Sequence, residues 1–364
     1  MSENVKIKTC GIISEYPFGQ LKTGEKISKY CLTNNNKLSV NVLNYGGILQ
    51  SIKTPDLSGN FSDILLGYDN LEGYLEDESY MGAVIGRFAN RIAGGTFVLD
   101  NTAYPLTKND GINCIHGGQI GFNRVVWEAE KLDSGKGEML LLSHNSPHGD
   151  QGFPGNLSVS ALYALNDDNE LNIRIRAMSD RKTVINVSLH PYFNLSGTPA
   201  SDLDSHLLSI EAQKYLPINE HMVPTGEIRS VANSVFDFRN EIPIHSRIVG
   251  DNSQLTIAGG FDHCFIINEP NGSLRSMAVL EDIESGRSLT LSSNAPAMQL
   301  YTANFLNGSV KGKGGISFDK WQAVCLEPEE YPNSPRENKF PSPVLEANDE
   351  YDHQIQYKFD VLNK

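Results

Sequence analysis

Positive charge is scarce in this 364-residue chain: 30 Lys and Arg stand against 44 Asp and Glu, a formal net charge of −14, with a pI near 5.1. Binding along a phosphate backbone needs clustered Lys and Arg, so the balance argues against a nucleic-acid surface and, more weakly, against a phosphorylated substrate. Cysteine is sparse and unpaired in pattern. Cys10, Cys31, Cys114, Cys264 and Cys325 are scattered, with no C-x-x-C pair, which suits reduced thiols in a cytosolic protein rather than a disulfide framework or a zinc site. No apolar run approaches the ~20 residues of a membrane span. The start, MSENVKIKTCGIISEYPFG, has no apolar h-region and no small-residue cleavage site. A cytoplasmic protein with no membrane association is expected, in which the N-x-S triplets at Asn156, Asn194 and Asn307 go unused.

Heptads, low-complexity segments and Pro- or Ser-rich breaks are missing as well. The length leaves one very large β domain or two smaller ones open; the lack of a linker favours one domain over residues 1–364.

What the chain has is strand signal. In LNIRIRAM, Leu171, Ile173, Ile175 and Ala177 fall on one face and Asn172, Arg174 and Arg176 on the other. LSVNVLNYGG, LSVSALYAL and HQIQYKFDV alternate in the same way, the signature of half-buried strands. Turn clusters such as DLSGN, SPHGDQGFPGN, LNDDNE and EPNGS separate them. Only DNLEGYLEDES reads as a helix, and a short one. The fold class is therefore all-β, a large antiparallel sandwich or barrel.

Cofactor motifs are absent. The glycine-rich KGKGGIS at Lys311–Ser317 matches neither a P-loop nor a G-x-G-x-x-G opening a helix, and reads as a surface loop. His144 and His148 have metal-pair spacing only if helical, and SPHGDQG is a turn-rich loop, so no metal site is expected there. No H-E-x-x-H or G-x-S-x-G occurs.

What remains is a dispersed polar set in apolar, glycine-lined strings. GRFANRIAGGTF carries Asn90 and Arg91, INCIHGGQIGFNRVVW carries His116, and NVSLHPYFNLSG carries His190. GGFDHCFII enters a β run through Asp262, APAMQLYTANF holds Gln299, and AVCLEPEEYPNSP sets Glu327 after an apolar strand. Each alone reads as a capped loop end, a strand-edge carboxylate or, for His190, a core imidazole. Together they supply an acid, a base, a cation and neutral hydrogen-bonders, an inventory that fits proton transfer on a small neutral polyol.

At these residues the sequence resembles the galactose mutarotases, or aldose 1-epimerases, in ordered strings from NYGGILQSI to YDHQIQYKF. The resemblance implies a single large β-sandwich (a supersandwich) and an aldose substrate such as galactose or glucose. It implies no cofactor or metal, and a monomer or weak homodimer. It gives His190 the role of general acid and Glu327 that of general base, and makes Asn90, Arg91, His116, Asp262 and Gln299 the sugar contacts. Carboxylates near His190, Asp262 among them, are expected to favour its charged imidazolium. One departure falls on the decisive motif. The family most often has Asn-His-Ser/Thr-Tyr-Phe, whereas Leu189 and Pro191 flank the histidine here. Two other functions stay open: an epimerase of hexose 6-phosphates, and a sugar-binding sandwich without turnover.

Overall fold

The structure is a computed structural model that describes residues 11–198, 201–248, 251–269 and 272–362. The first ten residues, with Cys10, and part of the EPNGS turn lie outside the described residues.

LSVNVLNYGG lies in a separate sheet, and the other three alternating segments form the middle of a nine-stranded antiparallel sheet. Its order runs Glu128–Asp133, Glu138–Ser146, Leu157–Leu165, Glu170–Ser179, Glu350–Val361, Arg287–Ser293, Arg275–Asp282, His206–Ile210 and Ile242–Pro243. The C-terminal strand Glu350–Val361 pairs with both Glu170–Ser179 and Arg287–Ser293, and so sits mid-sheet. The two-residue period decides which side is dry. Leu171, Ile173, Ile175 and Ala177 are buried, while Arg174 points outward to grip Asp352 through Nε and Nη2 at 2.7 and 2.6 Å.

Two five-stranded antiparallel sheets complete the sandwich. One is an N-terminal meander of Ile12–Gln20, Lys26–Thr33, Ser39–Leu43, Leu49–Pro55 and Phe61–Asp63. The other has the order Arg229–Ser230, Ala212–Leu216, Asp262–Ile267, Ala297–Tyr301 and Cys325–Glu329. A continuous apolar core joins all three: Val40 and Ile52 of the meander, Tyr163 and Ile173 of the large sheet, and Phe265, Met298 and Leu326 of the third are buried in one cluster.

The predicted short helix is Leu71–Glu76, capped by Asn70, whose side chain accepts from the Gly73 N–H, a standard way to satisfy a free first-turn donor. No helix among the described residues is long and apolar enough to cross a membrane. The glycine-rich string is less of a surface loop than expected. Lys313 inserts its ammonium between Asp63 Oδ2, at 2.8 Å, and Leu65 O, at 3.0 Å, pinning the loop to the meander. Gly312 serves this close approach, since a Cβ there would meet the Phe318 ring at 2.0 Å.

Candidate active site

Three neighbouring strands of the third sheet each contribute one polar side chain. Asp262 opens its strand, Gln299 lies at the middle of the next, and Glu327 at the middle of the third, with Gln299 directly opposite Glu327 in the antiparallel register. Gln299 Nε2 donates to Asp262 Oδ1 at 2.5 Å.

Asn90, Arg91 and His116 arrive from a second direction. The pair Arg91–Ile92 is hydrogen-bonded to Cys114–Ile115, with Ile115 opposite Arg91, so His116 leaves its strand beside the turn that carries Asn90. Both Asn90 and His116 have left-handed backbones, φ 63° and 50°, unusual for residues with a Cβ and common where a site fixes the chain. Gly117 is required in its place, because a Cβ there would lie 2.0 Å from Gly86 O. The Asn90 N–H donates to His116 Nδ1 at 3.1 Å. That bond fixes the neutral ring as the Nε2–H tautomer. Burial first, then His190 and Arg91, hold the ring's pKa well below the ordinary value. Arg91 is buried and ion-paired through Nε to Asp110 at 2.8 Å and through Nη1 to Asp262 at 3.5 Å.

His190 follows the strand pair Ser188–Leu189 with Val84–Ile85. Its N–H donates to Ala83 O at 3.0 Å and its carbonyl accepts from Gly82 N–H at 2.9 Å. Two residues earlier, Ser188 Oγ donates to Pro328 O at 2.6 Å, which ties the histidine's strand to the one carrying Glu327. The imidazole stacks on Tyr192 at 5.0 Å, meets Tyr301 edge-on at 5.9 Å and lies 5.4 Å from the His116 ring. Its Nε2 is 3.7 Å from Glu327 Oε1.

This answers what Leu189 and Pro191 do to the motif. Leu189 alternates away into the main core, and neither residue lines the cavity. Both backbone groups of His190 are already paired, and flanking aromatic rings hold its plane.

All seven predicted residues line one cavity of about 580 Å³, with Tyr80, Asp110, Arg124, Tyr192, Tyr301 and Phe305 around them. Strand periodicity could have supplied one of those missed: Tyr301 stands two positions after Gln299 on the strand Ala297–Tyr301 and shares its face. Tyr80 and Asp110 sit in loops and leave no such trace. His144 packs against the Phe122 and Trp127 rings, and His148 accepts from the Gly155 N–H.

Electrostatics correct one expectation. Burial pushes the His190 ring down to about 4, so neighbouring carboxylates do not keep it an imidazolium. The same burial, with Glu329 and Asp262 adding to it and Arg91 opposing, drives Glu327 well above the usual carboxylate range. Neutral forms are favoured for both, because a water-poor cavity penalises either charge. His116, His190 and Glu327 converge closely enough to hold a divalent ion, their candidate ligand atoms lying within 4.8 Å of one another. The tautomer of His116 speaks against it, since Nε2 carries a proton while Nδ1 is occupied by Asn90.

A β-sandwich that gathers two imidazoles, carboxylates and a guanidinium from converging strands and loops is equipped as an acid/base isomerase of a polar small molecule. Residues 28–358 match the family model for aldose 1-epimerase. A galactose mutarotase from Bos taurus is 38% identical over 94% of this chain and 97% of its own length, and an aldose 1-epimerase from Escherichia coli is 34% identical over 92% and 96%. The crystal structure of a galactose 1-epimerase from Lactobacillus acidophilus superposes with a TM-score of 0.84 at 28% identity, covering 96% of this chain and 99% of that one. The chain belongs to the aldose 1-epimerase family, and its activity is that family's isomerisation.

Proposed function

We propose that the cavity opens and recloses the ring of a free hexose such as galactose or glucose, with Glu327 as general base and His190 as general acid. The observation that carries this reading is the approach of His190 Nε2 to Glu327 Oε1, 3.7 Å apart on the wall of one cavity. In ring opening the carboxylate takes the proton of the anomeric hydroxyl, His190 gives a proton to the ring oxygen, and the C1–O5 bond breaks. Rotation about C1–C2 exposes the other face of the aldehyde, and closure returns both protons. The pair holds one proton throughout: from the neutral resting pair it passes from Glu327 to His190, carboxylate and imidazolium then open the ring, and carboxylic acid with imidazole accompany the open chain. Burial penalises the ion pair that starts the opening and favours the neutral pair that the opening step regenerates, so proton transfer runs downhill in that step.

Arg91, His116 Nε2–H, Asn90, Asp262 and Gln299 are the sugar contacts in this reading. They offer donors and acceptors on two sides of the acid/base pair, as orienting a polyol requires. The cavity's charged lining supports a neutral sugar over a phosphorylated one. Glu78, Asp110, Asp262 and Glu327 outnumber Arg91 and Arg124, and Arg91 is already paired.

Polarimetry of freshly dissolved α-D-galactose tests the assignment. The protein should accelerate the approach to the equilibrium rotation, and Glu327→Gln should remove roughly 10²–10⁴ of that acceleration, the usual weight of a placed acid or base. A variant as fast as the parent would sink the role of Glu327. Galactose binding without any acceleration by the parent would instead mark a binding protein.

A further inference from the structure

Two positions beyond Glu327 on the same strand, Glu329 is fully buried and absent from the cavity wall. No ion pair partners it among the described residues, and its Oε2 has no hydrogen-bond partner. A buried carboxylate without a cation is costly, and the group escapes that cost by keeping its proton. Its other oxygen accepts from Asn90 Nδ2 at 3.1 Å. Asn90 in turn organises both sugar-facing cations and donors on that side of the cavity. Its Oδ1 accepts from the Arg91 N–H at 2.8 Å, its N–H donates to His116 Nδ1 at 3.1 Å, and its carbonyl accepts from the His116 N–H at 3.2 Å.

We propose that Glu329 is a positioning residue that works as a neutral carboxylic acid, clamping Asn90 in its left-handed conformation so that Arg91 and His116 present their donors to the sugar. The proposal rests on the reading that these residues contact the sugar. Burial, first, together with Asp262 and Glu330, holds the Glu329 proton well above the usual range, against the Asn90 bond and Arg91. Glu327, Cys264 and Tyr351 also face it, each pushed upward by its presence. Neutrality matters because a charge on Glu329 would stand beside the base and drive Glu327 further toward its protonated form. A neutral acceptor keeps the clamp while leaving the negative charge to Glu327.

Two substitutions and a spectroscopic reading test this. Glu329→Gln keeps the shape and the acceptor for Asn90 without any ionisable proton. It should leave kcat and KM for galactose within about twofold and should not move the acid limb of the kcat/KM profile. Glu329→Leu keeps the bulk and removes the acceptor. It should raise KM about tenfold, the size of one lost hydrogen bond near 1.4 kcal/mol, and the ¹⁵N signals of His116 should change from one Nε2–H tautomer to a mixture. A Gln variant as impaired as the Leu variant would overturn the neutral role, as would an acid limb displaced by a unit or more. A Leu variant with parental KM and an unchanged His116 signal would overturn the clamp. Should the Leu variant not fold, the Gln profile still decides whether Glu329 carries charge. Loss of the base role through an active Glu327→Gln enzyme would leave these binding and tautomer readings standing, so the two ideas fail separately.

Discussion

His190 and His353 look alike in the sequence and alike by burial. Each interrupts an apolar alternating run, each is buried, and burial pushes each ring down to about 4. Their surroundings differ in one respect. His353 has both nitrogens occupied, Nδ1 against Val187 O at 2.8 Å and Nε2 against Ser293 Oγ at 2.9 Å. Among the described residues Nδ1 of His190 has no hydrogen-bond partner, and its Nε2 stands 3.7 Å from a carboxylate at the cavity wall. Depth and titration therefore do not separate a working histidine from a structural one. Completeness of hydrogen bonding does, because a ring with both nitrogens committed cannot hand a proton to a guest. The two are also linked: His353, with Tyr351, whose hydroxyl accepts from the Val187 N–H at 3.2 Å, fixes the chain three residues ahead of His190.

The comparison breaks most sharply by exchange. His190→Asn should lower kcat by about 10²–10⁴ and leave the melting temperature nearly unchanged. His353→Asn should do the reverse, costing about 1–3 kcal/mol of stability through its orphaned partners while the folded fraction keeps parental kcat. Polarimetry paired with thermal melts distinguishes them, and equal loss of turnover per folded molecule would end the distinction.

A parallel contrast lies four residues apart in GRFANRIAGG. Arg87 is buried under oxygens of one loop, bonding Pro154 O, Gly155 O, Ser146 O and Oγ, and Pro147 O. Arg91 is paired with carboxylates and faces the cavity. Arg91→Ala should raise KM for galactose about tenfold to a hundredfold with a smaller change in kcat. Arg87→Ala should appear as lost stability and not as a changed KM in the folded protein. A change confined to kcat in Arg91→Ala would argue against a binding role.

The pH profile sharpens the histidine comparison further. The free ring titrates near 6.5, whereas burial moves His190 to about 4, a depressed pKa that keeps the ring neutral as pH falls through 6.5. With Glu327 raised, the pair still holds one proton in that window. Only near pH 4 does a second proton arrive and remove the base. The acid limb of kcat/KM should accordingly lie near pH 4 to 5; a limb at about 6.5 would mean a ring hydrated like a surface histidine.

Much of this was legible in the sequence, for definite reasons. Period-two alternation exposed the inward faces of Leu157–Leu165 and Glu170–Ser179, because one side of each strand is dry and the other wet. The resemblance gathered seven cavity residues from strings up to 237 positions apart, Asn90 to Glu327, which no local pattern could join. Three things were hidden. Asp110 and Tyr80 enter from loops, where no period marks a facing direction. The neutrality of His190 depends on the depth of the cavity, a tertiary quantity. Glu329 looked like one more acid in CLEPEEYP, and only its bond to Asn90 distinguishes it.

The smallest expected effect concerns Pro191, the residue that made the histidine motif look irregular. If ring orientation depended on the neighbour after His190, the departure should be costly. The structure assigns orientation elsewhere: His190 N–H and C=O are held by Ala83 and Gly82, and the ring by Tyr192, Tyr301 and His116. Pro191→Ser therefore should leave kcat and KM within about twofold. It adds one buried N–H, so a stability loss of about 1 kcal/mol is expected. Tyr192→Leu removes the stacking ring two positions on and should disturb turnover more than Pro191→Ser does. The opposite ranking in polarimetry would mean that the neighbouring residue, not the aromatic wall, aims the imidazole.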